Sequence, residues 1–482
     1  MGIFRSTDPT VWDDVDGIII NEVAPPSNVV GVPANIAVLV GQFQRGPEDV
    51  VTEVGSLGEI YEIFGNDISF GGQVAITNKR FGALKIVRVV AAAAVKGFKA
   101  FQSSAVDRIT FTAKYYGAYG NSITVKIESG TTVGKKYTVH DGSANAVWPD
   151  EVYDDVLIAA VGSTFSGSKL ISVVVNSTAA EPSNIAATAL ATGSDGTVAD
   201  TDYLTAISAQ EGEAVGNILF LDSYNTVRNG YLKTSMAATT DRMTVVCGAA
   251  GDSKATAIAA VASLRDTDGR LIYAFPYVKT TISGVSTLVN GASFYASLMS
   301  QIAPNIDPAW AGNVQYLAGI NEIELVLTRN DYISLVAAGI SSFENDADLG
   351  IKIKSGVTTQ ISNSGKVMIF RRRMADYITY SVAKFLKQFG NGINSEAKQV
   401  EATSAVVRFN RDMENVGLVP KDSEIKTGKA SIVDGKSLNT DDSIARGFWK
   451  LLYKRRIYSS MRYIVLQAEI GESVVVTEQE ST

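Results

Sequence analysis

His140 is the only histidine and Cys247 the only cysteine in this 482-residue chain, so imidazole or thiolate chemistry would rest on a single residue of each kind. His140 lies in Tyr137-Thr-Val-His-Asp-Gly142, an alternating run that reads as a hairpin strand with the ring on its solvated side. No Gly-x-Ser-x-Gly elbow accompanies it. Cys247 closes the apolar run Met243-Thr-Val-Val-Cys247 and reads as core. One cysteine excludes an intramolecular disulfide and a cysteine-rich zinc site.

Gly162-Ser-Thr-Phe-Ser-Gly167-Ser-Lys169 has the glycine spacing of a phosphate loop. However, Ser168 follows the second glycine and Leu170 follows Lys169, so the lysine and the magnesium-binding hydroxyl are out of order. A Gly/Ser-rich turn is the expectation, and no dinucleotide-type Gly-x-Gly-x-x-Gly occurs. Ser381-Val-Ala-Lys384 and Lys426-Thr-Gly428 match two elements of penicillin-binding enzymes without the Ser-Asp-Asn element between them. Ser381 borders the apolar face of an amphipathic helix and reads as structural. Asp13-Asp14, Asp154-Asp155 and Asp441-Asp442 fall in polar turns with no spaced carboxylate partner. An α/β hydrolase-like enzyme would have to use carboxylates that spacing alone does not pair.

Arg371-Arg-Arg373 and Lys454-Arg-Arg456 are the densest basic runs, the second set among aromatics between Phe448 and Tyr458. Such interleaving suits single-stranded nucleic acid. Against it, 43 Lys plus Arg and 50 Asp plus Glu give a net charge of −7, with no general attraction for polyanions. A solvated or protein-facing patch is expected. Met1-Gly-Ile-Phe-Arg-Ser6 lacks the apolar stretch of a leader, and no run approaches the roughly 18 apolar residues of a spanning helix, so neither export nor membrane insertion is expected.

The elements behind these residues follow from periodicity. Gly17-Ile-Ile-Ile-Asn-Glu-Val23 predicts a short strand stopped by Pro25-Pro26. Ile36-Ala-Val-Leu-Val-Gly41 is apolar throughout, as in a strand buried on both faces. Ser56-Leu-Gly-Glu59 is a capping-box pattern, and Leu57, Ile60, Tyr61 and Phe64 share one helical face before Gly65. A second helical stretch near 72–81 leads to the strand Leu84–Val90, giving the opening of a layered α/β domain.

From about residue 105 the texture turns to Ser, Thr, Gly and Val with short alternating runs, Ile123–Glu128 and Leu170–Val175 among them, which predict a small all-β unit. Strand-and-helix texture returns near Tyr203, with Asn217–Leu221, a helix near Lys254–Leu264 and Arg270–Phe275, so the β unit reads as inserted. Met374, Ile378, Val382, Phe385 and Phe389, then Val406, Phe409, Met413 and Val416, predict two amphipathic helices ending at Gly390 and Gly417. The chain closes on a β-rich stretch, Tyr463–Ile470 and Val474–Thr477. The two terminal strands could fold back within their own chain or pair outward.

In this order several segments resemble the contractile-tail sheath proteins of bacteriophages and the related bacteriocin and secretion-system sheaths. They are Ala37-Val-Leu-Val-Gly41 with Arg45-Gly-Pro47, Ser56–Gly65, Ile86–Val90, Gly117-Ala-Tyr-Gly-Asn-Ser-Ile-Thr-Val125, Gly193-Ser-Asp-Gly196 with Asp202-Tyr203, Leu317–Asn321 through Gly339-Ile340, and Arg371–Ile378. The sequence departs at Gly339-Ile-Ser-Ser, where many members have Gly-Ile-Asn, and in its short, individual insert.

The resemblance implies an α/β (mixed α+β) core domain with an inserted small all-β domain and extended N- and C-terminal β arms. The implied boundaries are 1–32 for the N-terminal arm and linker, 33–104 and 193–315 for the two parts of the core, 105–192 for the protruding insert, 316–462 for a C-terminal domain and 463–482 for the C-terminal arm. It further implies a helical homopolymer around an inner tail tube, joined by exchange of terminal strands, here Ile18, Ile19, Ile20 and Val23, with Ile464, Val465, Leu466, Val474, Val475 and Val476. Such a sheath contracts from a metastable extended state, with linkers such as 21–33 carrying the motion. Basic residues on the two C-terminal helices, Lys384, Lys387, Lys398, Arg408 and Arg411, are the expected tube contact. Baseplate and tail terminator proteins are the other expected partners, in a virion tail assembled in the bacterial cytoplasm. No enzyme activity, cofactor, metal, nucleic acid or membrane contact is expected. A static lattice protein would share the polymer but not the contraction.

Overall fold

The computed structural model describes residues 2–5, 17–20, 29, 31, 35–65, 83–143, 148–212, 217–239, 242–282, 284–362, 365–427, 432–433 and 436–459. Strands β1 (Gly2–Arg5) and β2 (Gly17–Ile20) pair in parallel, Gly2 opposite Gly17. β2 falls where its isoleucines predict a strand and pairs inside its own chain, one of the two alternatives open from the sequence, whereas its partner strand β1 was not foreseen. The helix expected near 72–81 lies outside the described residues.

The core begins with β3 (Ile36–Gln42), the short β4 (Thr52–Val54), helix α1 (Leu57–Phe64) and β5 (Ala83–Val89). The Ser56 hydroxyl accepts the Glu59 N–H at 3.2 Å, which starts α1 as the capping pattern predicts. The Glu59 carboxylate turns back to the Gly55 N–H, one residue before the expected partner.

Strands β6 (Phe98–Ser103), β7 (Val106–Ala113), β8 (Ile123–Ser129), β9 (Lys135–Asp141), β10 (Glu151–Val156), β11 (Ile171–Val175) and β12 (Ile185–Ala189) follow. They form an antiparallel sheet β11-β7-β6 and a second β10-β9-β8-β12. Alternate residues of β7, β8 and β9, such as Ile109, Phe111, Val125, Ile127, Tyr137 and Val139, meet in a core separate from the rest of the chain. β6 belongs to these sheets although the sequence boundary at 105 sets it in the core.

Past the insert come α2 (Asp200–Ala209), β13 (Asn217–Leu221), α3 (Thr226–Thr239), β14 (Met243–Cys247), α4 (Lys254–Ser263) and β15 (Leu271–Phe275). β16 (Val278–Ile282), β17 (Val285–Val289), α5 (Gly291–Gln301), β18 (Ile320–Ile323), α6 (Arg329–Ala338), β19 (Ile340–Asp346) and β20 (Gly350–Ile353) complete this part. The central sheet has the order β20-β19-β15-β14-β13-β3-β5-β4, parallel throughout except for its two edge strands. Ala37 and Leu39 of β3 pack toward α1 and α5, while Ile36, Val38 and Val40 pack toward α2, α3, α4 and α6. Burial on both faces is why β3 reads as an uninterrupted apolar run. Residues 340–353 join this sheet rather than the C-terminal part, because the buried Ile340-Ser-Ser-Phe343 continues the parallel ladder beside β15.

The last third holds α7 (Ile369–Leu386), α8 (Glu396–Asn415), β21 (Glu424–Lys426), β22 (Ile432–Val433), β23 (Lys436–Ser437) and β24 (Leu452–Lys454). Met374, Ile378 and Val382 of α7 pack against Val406, Phe409 and Met413 of α8, the two stripes that the spacing predicts. Val416, assigned to the same stripe, is instead 74% exposed, because the helix ends there and Gly417 turns the chain at φ +74°. No described helix is long and apolar enough to cross a membrane.

Candidate functional site

The motifs that could have carried chemistry are occupied structurally. Cys247 is buried, and desolvation pushes its thiol up to about 12. His140 is exposed and its Nδ1 lies 2.6 Å from Asp150. In place of a simple turn, the Gly162–Lys169 segment runs through one turn of α-helix (Val161–Thr164) and a 3-10 turn (Phe165–Gly167), and Lys169 reaches out to Glu62 at 2.8 Å. The Ser381 hydroxyl donates to the Tyr377 carbonyl one turn back. Asp154 and Asp155 accept the backbone N–H groups of Thr131, Thr132 and Val133, and Asp441-Asp442 open a short helix. Asp13-Asp14 lies outside the described residues.

A parallel sheet of this order reverses direction between β3 and β13, where the carboxyl ends of strands commonly leave a ligand crevice. Here side chains fill it. The Tyr203 hydroxyl donates to Asp222 (2.9 Å), Asp222 accepts the Gln42 N–H (2.9 Å), and Arg228 stacks on the Tyr203 ring at 3.7 Å. Burial raises the Asp222 carboxyl above its ordinary value.

Two arginines join the insert to the core. Arg45, just past β3, donates to Asp141 at the end of β9 (2.8 Å), to the Tyr119 hydroxyl (2.6 Å) and to the Tyr61 and Glu62 carbonyls, under the Trp148 ring at 4.1 Å. Arg88 of β5 donates to the carbonyls of Phe43, Gln44, Gly46 and Tyr116, and burial lowers its guanidinium to about 10. The Gly117–Val125 and Gly193–Gly196 motifs meet at this neck. Asn121 and Gly193 exchange two hydrogen bonds of 2.8 and 2.9 Å, and Asp195 accepts the Ala118 N–H. A Cβ at Gly120 would lie 2.9 Å from the Gly97 nitrogen, so the strands of the neck can close only on glycine.

A further polar cluster joins α7, α8 and the β21–β24 pair. Glu424 pairs with Lys454 and Lys426 with Leu452 in a ribbon of three residues per strand. Its order contains no third strand, so both outer edges carry unpaired backbone groups among the described residues. Below it, Arg455 donates to Glu414 (3.0 Å), the Pro420 carbonyl (2.7 Å) and Asn410, and the Tyr453 hydroxyl donates to Asn410 at 2.9 Å. Burial opposes ionisation of Glu414, but Arg455 and Asn410 win and hold its carboxyl below the ordinary value.

The expected tube-contact residues divide into two groups. Lys384 and Lys387 at the end of α7 and Lys398 at the start of α8 are exposed, Lys398 pairing with Glu401 at 2.8 Å. Arg408 is half-buried and Arg411 exposed, about 15 and 20 Å further along α8. Ile18, Ile19 and Ile20 form β2. Val23, Ile464, Val465, Leu466, Val474, Val475 and Val476 lie outside the described residues. Sequence reasoning quoted Arg45 only as part of a motif and gave no role to Asn410 or Glu414; the available signal was a polar residue inside an apolar stripe, as Asn410 between Phe409 and Met413.

No protein-family model matches the sequence, and no curated protein matches it. By shape the chain is similar to the sheath tail protein of Desulfitobacterium hafniense (TM-score 0.61, 16% identity, 85% of this chain over 93% of that one). It is similar to a sheath tail protein of Listeria innocua (0.63, 15%, 83% over 89%) and to the helical sheath of the anti-feeding prophage in its contracted state (0.57, 12%, 96% over 99%). The chain has the contractile-sheath fold. At these identities the likeness is one of backbone architecture, and the sheath fold extends from the core sheet through the C-terminal helices.

Proposed function

We propose that the chain is the structural subunit of a contractile tail sheath and not an enzyme. Supporting this is a likeness that runs over 96% of the chain onto 99% of a subunit from a helical sheath. Copies polymerise helically around an inner tail tube, and the polymer contracts from a metastable extended state to drive the tube through a cell envelope. Partners are further copies, the tube protein, and baseplate and tail terminator proteins, in a virion tail built in the host cytoplasm.

The joint between copies is strand exchange. A two-stranded ribbon is marginal in water by itself, and the β21–β24 pair offers two open edges. Residues 17–23 and 463–477 are the strands it receives, each from a neighbour; β1 and β2 form a second lone pair that exchange would re-partner. The separate core of the insert is the protruding domain. The exposed bases Lys384, Lys387, Lys398 and Arg411, with Arg408, face the tube.

Deleting residues 1–23, or truncating after Arg462, tests the exchange. The expected result is a folded monomer that no longer polymerises in electron micrographs. Polymers of normal length from both truncations would overturn it.

A further inference from the structure

The roots of both terminal arms are held by one helix. On the C-terminal side, the Arg371 guanidinium donates to the Tyr458 carbonyl (3.1 Å) and the Ser459 hydroxyl (2.9 Å), at the last described residue before the arm. Just upstream, the 5%-exposed Arg455 side chain is fixed to α8 through Glu414 and Asn410, and Ile457 packs on the α7–α8 core. On the N-terminal side, Val29 packs on that same core, and a Cβ at Gly31 would run into the Tyr377 hydroxyl. Asn35, one residue before β3, accepts from Arg373 at 3.2 Å, and the same Arg373 nitrogen donates to the Met299 and Ile302 carbonyls at the end of α5.

Arg371, Arg373 and Tyr377 lie within seven residues of α7, about 9 Å along its axis. A stiff helix segment of that length is a far shorter route between the two arms than the eight-stranded sheet. We propose that the Arg371–Tyr377 stretch of α7 is a common anchor through which tension on one arm passes to the other without loading the core sheet. Arg371, Arg373 and Arg455 are then positioning residues that set where each arm leaves. This rests on the reading that both arms pair with neighbouring copies.

R371A and N35A, singly and together in the full-length chain, test it. Arg371 and Asn35 are both only half-buried, so the thermal midpoint should stay close to wild type. In the unassembled protein, amide hydrogen exchange should rise at least tenfold at 455–459 in R371A and at 31–36 in N35A, with the central strands unchanged. In electron micrographs, sheaths of the double variant should be several-fold shorter and break under shear that wild-type sheaths survive. Unchanged exchange at both roots would overturn the anchor. Raised exchange with sheaths of normal length and strength would overturn its load-bearing role. If the wild-type chain forms no polymer, the sheath reading and the load path fall together, while the exchange result still decides whether α7 holds the two roots.

Discussion

The Arg270 guanidinium and the Asp376 carboxylate meet as a two-point pair, at 2.7 and 3.0 Å, with side chains only 4% and 8% exposed. Arg270 immediately precedes β15 in the core sheet and Asp376 lies on α7, so the pair fastens the C-terminal helices to the core. Arg372, one turn back on α7, completes the carboxylate.

Removing Asp376 alone strands a buried guanidinium. D376A should therefore cost about 3–5 kcal/mol in urea unfolding, whereas replacing Arg270 and Asp376 together with apolar residues of similar volume should recover most of that loss. A loss below about 1 kcal/mol for D376A would mean that the pair is not what holds α7 to the sheet.

Asp141 makes attachment of the insert acid-sensitive. Burial would raise its carboxyl, but the Ser143 N–H, Arg45 and Tyr119 outweigh burial and hold it below the ordinary 3.8. A depressed folded value means that the stabilisation is complete above the unfolded value and is lost as the pH falls through the folded one. Stability should thus be flat in this respect down to about pH 4 and then drop, with a shallower acid limb in D141N. Protease cleavage at the neck, near 95–97 and 191–196, should report the detachment.

Cys247 should not react with a disulfide reagent at pH 8 in the folded protein, since burial keeps its thiol protonated. Stoichiometric labelling should need denaturant, and rapid labelling of the native chain would show that β14 opens.

Gly339 ends α6 in the left-handed region at φ +82°, and a Cβ there would lie 2.9 Å from the Thr358 carbonyl oxygen. G339A should lower stability by about 1–2 kcal/mol from the backbone alone, readable as a lower urea midpoint at unchanged slope.

Reversing charge at Lys384, Lys387, Lys398 and Arg411 should leave the thermal midpoint near wild type, since all four are exposed. Sheaths of the variant should slide off their tubes at lower salt than wild type. Equal salt resistance would remove these residues from the tube contact.

Periodicity sufficed where one element buries its own face. β3 and α1 were readable because a doubly buried strand is apolar throughout, and a capped helix carries its start and its stripe within ten residues. The α7–α8 pair was readable for the same reason. The glycines of the Gly117 and Gly193 motifs were visible as resemblance, and their reason became visible only as a neck where Gly97 and Gly120 touch.

Long-range polar pairing left no such trace. Arg45 and Asp141 are 96 residues apart and Arg270 and Asp376 are 106 apart, and nothing local distinguishes them from solvated charges. The two basic runs looked like surface patches for the same reason, yet the chain turns Arg373 inward to α5 and Arg455 inward to Asn410 and Glu414. By itself the sequence determined the strands and helices that bury their own face and which catalytic motifs are broken, because spacing and side-chain type act within a few residues. Only the tertiary structure decided which charges are buried against one another, and that Asn35 and Tyr458 are both held by arginines of α7, because those contacts exist only after distant segments have packed.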